Sequence, residues 1–152
     1  MTNNDLLKLI SISFDISEED SIKIFSLGGL EVSKEGLKSF LSEFSDESHV
    51  DMKDSDLASF LNGLISFKRG PKGDSIPTAE SKLTYNIILK KIKIAMGLHN
   101  EDIIAILEAV GIELPEFELS AYLRREGHKN YRPIRAQLLR NFIFAIGEVQ
   151  GL

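Results

Sequence analysis

A shift of 82 positions (Asn86 minus Asn4) lays this chain over itself without a gap. Asn4, Leu7, Lys8, Ile10 and Ile12 fall on Asn86, Leu89, Lys90, Ile92 and Ile94; Glu19, Asp20, Gly29 and Glu31 fall on Glu101, Asp102, Gly111 and Glu113. Leu37, Leu41, Leu57 and Phe60 fall on Leu119, Leu123, Leu139 and Phe142. Roughly a quarter of aligned positions are identical and many others keep apolar against apolar, so one unit is written twice. Two alike subdomains are expected, and each surface feature should occur twice unless one copy has diverged.

A unit of about 65 residues sits near the lower limit for a self-supporting core, so the copies are expected to pack against each other. The 152 residues include no cysteine, which removes disulfides, zinc–thiolate sites and thiol nucleophiles. The opening Met-Thr-Asn-Asn-Asp lacks the basic end and apolar run of a signal peptide. No apolar stretch approaches the ~20 residues needed to span a bilayer. A cytoplasmic protein without membrane contact is the expectation.

The net charge of −5 hides an asymmetry. Residues 1–65 hold 5 Lys/Arg against 13 Asp/Glu, net −8; residues 66–83 hold 4 against 2, net +2; residues 84–152 hold 9 against 8, net +1. An acidic first copy and a mildly basic second suggest complementary faces, within one chain or between two, so a homodimer is one arrangement the charges allow.

Four amphipathic helices are predicted per unit, eight in all. Leu6, Leu7, Ile10 and Phe14 form one apolar stripe, matched by Ile88, Leu89, Ile92 and Met96. A second helix starts near Ser17 as cap, carries Ile22, Ile24 and Phe25, and stops at Gly28-Gly29; its counterpart carries Ile103, Ile104, Ile106 and Leu107 up to Gly111. Ser33 caps a third helix with Leu37, Phe40, Leu41 and Phe44; copy two has Pro115, Leu119, Tyr122 and Leu123. Asp54 or Ser55 caps the fourth, with Leu57, Phe60, Leu61 and Leu64 inward, matched by Leu139, Phe142, Ile143 and Ile146. The repeated Asn4 and Asn86 are expected to cap or buttress the first helix of each unit. The division is residues 1–65, a linker at 66–83 rich in glycine and proline, and residues 84–152. A phosphate-loop reading of Gly70 to Gly73 fails on spacing.

One stretch carries a functional signal. Arg124, Arg125, His128, Lys129, Arg132 and Arg135 crowd the segment between the third and fourth helices of copy two, where copy one offers Ser42, Glu43, Asp46, Glu47, Val50 and Lys53. Guanidinium forks suit phosphate or carboxylate. The plainer alternative is that these cations pair with the acidic first copy or solvate the surface. Two further features are weaker. Helix–glycine turn–helix occurs twice, at Glu19–Leu41 and Glu101–Leu123, but Glu116 and Glu118 open the second would-be recognition helix and would repel phosphate. Asp46 stands three residues before His49, and neither a second ligand set nor a nucleophile–base pair accompanies it. The repeated Glu19-Asp20 and Glu101-Asp102 suit the positive end of a helix.

Ser26-Leu-Gly-Gly-Leu-Glu-Val-Ser33, Asn86-Ile-Ile-Leu-Lys-Lys-Ile-Lys-Ile-Ala95 and Gly127-His-Lys-Asn-Tyr-Arg132 resemble the YehS-like bacterial proteins, a family of uncharacterised members (domain of unknown function 1456). Leu139-Arg-Asn-Phe142 is similar to that family's closing helix. The resemblance spans nearly the whole chain and implies a bacterial cytoplasmic helical protein with a tandem repeat. It implies no activity, cofactor or catalytic residue.

The expected fold is all-α, two four-helix units packed through apolar faces with pseudo-twofold symmetry. The expected function is a non-catalytic binding module without cofactor, metal or membrane. Its basic segment would dock an acidic protein, a nucleic acid or a phosphorylated metabolite. A DNA-binding regulator using the repeated helix pairs is the alternative.

Overall fold

In the computed structural model, which describes residues 1–70 and 78–150, the first, second, third and fifth helices begin where a Ser or Thr side chain accepts from a free N–H of the first turn. Thr2 Oγ1 accepts from Asp5 N at 3.0 Å, while Thr2 N donates back to Asp5 Oδ2 at 3.0 Å. This reciprocal box opens α1 (Asn3–Ser13). The donated backbone N–H holds the Asp5 carboxyl below its usual range. Ser17 and Ser33 cap α2 (Glu18–Leu27) and α3 (Lys34–Leu41) as expected. The fourth helix, α4 (Asp54–Arg69), starts one residue earlier than predicted: Lys53 is its cap residue, and Lys53 N donates to Asp56 Oδ2 at 3.0 Å. The second unit repeats the order as α5 (Tyr85–Ala95), α6 (Asn100–Ala109), α7 (Glu116–Leu123) and α8 (Ala136–Gln150). No strand occurs among the described residues.

The predicted stripes are the core. Leu57, Phe60, Leu61 and Leu64 of α4 and Leu139, Phe142, Ile143 and Ile146 of α8 are all buried. Phe25 meets Phe60 edge-on at 4.9 Å, an arrangement worth about 0.5–1.5 kcal/mol beyond area burial. Several stripe residues, Phe14, Ile22, Phe40, Leu41, Met96, Ile104 and Leu123, are only half-buried and pack at the edge of this core. Phe44, read as the end of the third stripe, lies beyond α3 in a loop and is 82% exposed.

The two units share one core rather than each closing its own. Within a unit, α2 crosses α4 and α6 crosses α8; between units, α1 lies along α8 and α5 along α4. Ser13 meets Gly147 near the C-terminal ends of α1 and α8, and Arg69 meets Gly97 at those of α4 and α5. The N-terminal ends of all four border a single cleft, so these helices run in the same direction. A helix the length of α4 is about 24 Å long. The C-terminal end of α4 and the N-terminal end of α5 therefore lie at opposite ends of this pair of neighbouring helices. Residues 66–69 of the segment read as linker continue α4, since no breaker precedes Gly70. Residues 71–77, with most of the rejected phosphate-loop reading, lie outside the described residues.

Polar contacts seal the junction between units. Asp54 Oδ1 accepts from Asn3 Nδ2 and Oδ2 from Leu83 N, both at 2.8 Å. Lys91 Nζ donates to Asn62 Oδ1 at 2.6 Å, and Tyr85 Oη to the Met1 carbonyl at 3.2 Å. The Asn3 bond, then that from Leu83, lowers the Asp54 pKa from its usual 3.8. A depressed folded-state pKa contributes stability that is fully present above 3.8 and lost as pH falls through the lower folded value. Asp54→Asn supplies one acceptor where two donors point, so it should lower stability at pH 7 and shrink the loss below pH 3.8. Acid titration followed by circular dichroism checks this; superimposable wild-type and variant curves would refute the junction role.

Candidate functional site

The segment joining α7 to α8 is held from below by one buried side chain. Asn86 Nδ2 donates to the carbonyls of Tyr122 and Arg132 at 2.9 and 2.8 Å, and Oδ1 accepts from Ile134 N at 3.1 Å. Asn4 does the same in the first unit, to Phe40, Val50 and Met52. Each partner is displaced by 82. The repeated asparagines therefore do not cap: Thr2 and Thr84 do that, and the amides stitch a distant loop onto the first helix. Backbone bonds repeat as well, with Val50 N to Ser39 O matched by Arg132 N to Ala121 O. Residues 42–53 and 124–135 are thus one loop design carrying two sets of side chains.

In the second unit this loop gathers cations. Arg124, Lys129 and Arg132 line one hollow of about 390 Å³ with Phe117, Glu118 and Tyr131. Arg124 and Arg125 share a smaller neighbouring hollow with Lys90 and Tyr131. Arg132 Nη1 lies 3.6 Å from Glu118 Oε1, which also accepts from the Tyr122 hydroxyl at 3.0 Å. Burial first, and that bond second, pushes the Tyr122 hydroxyl above 10.0. Among the described residues no carboxylate lies within ion-pair distance of Arg124, Arg125, Lys129 or Arg135, and no ion pair joins the two units.

Two predicted residues stand apart. Arg135 is exposed and precedes α8, outside both hollows. His128 is turned into its own loop, where Nδ1 accepts from Asn130 N at 3.0 Å. Phe117, Glu118 and Tyr131 were missed. Phe117 sits in the first turn of α7 and is 73% exposed, so a period count tuned to buried stripes had no reason to select it.

The carboxylate–histidine spacing in the first unit has a structural use. Asp46 Oδ1 accepts from Ser48 N and Oγ at 2.8 and 2.7 Å, and these bonds hold its carboxyl below the ordinary range. The His49 ring is nearly covered: Nδ1 faces the Ser42 carbonyl at 3.1 Å and Nε2 faces Asp51 Oδ1 at 2.9 Å. The loop folds back over the ring. No group of three or more His, Asp or Glu side chains among the described residues is placed to hold a metal ion. No helix described is long and apolar enough to cross a membrane.

Between the two loops, on the pseudo-twofold axis, lies a cleft of about 760 Å³. Thr2, Asn3, Phe44 and Asp51 border it from the first unit; Thr84, Tyr85, Glu126 and Tyr131 border it from the second. The repeat of Thr2 at Thr84 was the available sequence signal for this cleft.

Among the described residues, eight helices in two matching units, with one loop design rendered acidic in the first and basic in the second, define a tandem-repeat all-α protein. The chain belongs to the family described as "Protein of unknown function (DUF1456)", whose model matches residues 3–70 and 85–146. It is also similar to the uncharacterized protein YehS of Escherichia coli (strain K12), with 36% identity over 145 residues, 94% of this chain and 92% of that one. No solved structure matches.

Proposed function

We propose that this protein is a non-catalytic cytoplasmic binding module whose α7–α8 segment docks an anionic partner. One observation carries the reading. Arg124, Lys129 and Arg132 converge on a hollow in which a single carboxylate, Glu118, answers three cations. A loop pinned by Asn86 presents them with little ordering to complete on binding, which favours affinity. Arginine forks read carboxylate or phosphate oxygens in pairs. The helix-pair reading for DNA draws less support, since Glu116 and Glu118 open α7 and Phe117 stands exposed between them.

Heparin, a polyanion, probes the site directly. The wild-type protein should be retained on a heparin column, and Arg124→Glu with Arg132→Glu should elute at clearly lower salt with unchanged helical content, because screened cation contacts dominate such retention. Equal elution of the two proteins would remove the patch from consideration.

A further inference from the structure

The two equivalent loops differ in charge far more than in backbone. Residues 42–53 hold Glu43, Asp46, Glu47 and Asp51 against Lys53, net −3. Residues 124–135 hold five cations (Arg124, Arg125, Lys129, Arg132, Arg135) against Glu126, net +4. Both border the same cleft, so they stand side by side at one end of the molecule. Among the described residues no ion pair joins them: Asp51 meets the His49 ring within the first loop, and Arg132 pairs with Glu118 between the second loop and α7. Phe44, on the acidic loop, projects from the cleft rim with its ring edge-on to His49 at 5.6 Å. A charged surface that exposes an aromatic ring has the composition of a contact centre.

We propose that this end of the molecule binds a second copy of the chain, the acidic loop of each copy lying against the basic loop of the other. The inference rests on the anionic-partner reading and names that partner. Charge selects the geometry. A twofold axis perpendicular to the line joining the loops, and lying in the contact plane, sets acid opposite base twice. The axis along that line sets acid on acid and base on base, which repel. Because one chain carries both signs on one face, the contact closes as a dimer rather than extending into a chain. Phe44 of each copy adds the apolar contact at the centre, where aromatic residues concentrate binding energy.

Sedimentation velocity at low and high salt tests this with two charge-reversed proteins. Glu43→Lys with Glu47→Lys takes the first loop from −3 to +1, so both loops are basic, and Arg124→Glu with Arg125→Glu and Arg132→Glu takes the second loop from +4 to −2, so both are acidic. The wild type should dimerise at low salt and dissociate as salt rises. Each reversed protein alone should be monomeric, and their equimolar mixture should form a heterodimer, since both contacts then pair opposite signs. Recovery on mixing also shows that each variant is folded. Phe44→Ser should raise the dimer dissociation constant about tenfold. A wild type that stays monomeric at every concentration, or a mixture that does not associate, overturns the dimer. If heparin retention still depends on Arg124 and Arg132 in that case, only the second copy is excluded as partner. Loss of both results would remove the anionic-partner reading too.

Discussion

Replacing Gly63 with alanine should destabilise the protein by about 2 kcal/mol, although alanine is the better helix former. The two effects oppose each other. Alanine in a helix interior gains about 1 kcal/mol over glycine. At this crossing, however, a Cβ on Gly63 would overlap the Ile24 carbonyl oxygen, and one on Gly28 would overlap that of Ser59. Backbone cannot swing aside as a side chain can, so α2 and α4 would have to separate. Overpacking a filled interior costs about 1–3 kcal/mol, and contact with backbone places this site at the upper end. The clash wins. In a chain this long, a loss of that size lowers Tm by roughly 4–8 °C. The second unit supplies the contrast, since Val110 and Ala145 stand where Gly28 and Gly63 do. Ala145→Gly should lose only the helix preference and one methyl's packing. Thermal unfolding of both variants checks this, and a Gly63→Ala protein as stable as the wild type would contradict the close crossing.

Asn86→Ala should be at least as damaging, and it should also weaken polyanion binding without removing any charge. Its amide links α5 to the carbonyls of Tyr122 and Arg132 and to the N–H of Ile134. Leaving a buried polar group unpaired costs about 1–3 kcal/mol, and three groups lose their partner at once, so a loss of about 3–5 kcal/mol is expected. The Ile134 amide should lose its protection against hydrogen exchange. The loop carrying Arg124, Lys129 and Arg132 would then sample many arrangements, and heparin elution should move to lower salt. Asn4→Ala should bring a similar stability loss while leaving heparin elution near that of the wild type, because it frees the acidic loop. Equal effects of both substitutions on elution would break the link between this anchor and the basic hollow.

The helices were legible because their signals are local. Leu57, Phe60, Leu61 and Leu64 recur at helical spacing and are buried, and Ser17 and Ser33 sit where caps belong. Phe44 misled the same logic: it continues the spacing of Leu37, Phe40 and Leu41, but α3 ends before it. Ser42 has left the helical region, and nothing in a periodic count registers that. His49 and the asparagines mark a different limit. Each has partners in backbone atoms, Ser42 O for His49 and the Met52 amide, 48 positions away, for Asn4, and backbone partners leave no trace in side-chain pattern.

Composition and periodicity alone determined that this is a duplicated, all-helical chain with one acidic and one basic rendering of the same segment. Those properties follow from which residues neighbour each other along a helix, and a sequence states that directly. Only the tertiary structure decided that α1 lies along α8 and α5 along α4, that the two loops share one end of the molecule, and that three of the cations converge while His128 and Arg135 do not. Burial of apolar surface is non-directional, so one leucine-rich stripe accepts another without preference for its own unit. Shape and polar contacts add the direction. Gly28 and Gly63 bring α2 onto α4 within the first unit, and Gly147 admits Ser13 of α1 against α8 across the units. The two buried asparagines fix each loop to its own unit.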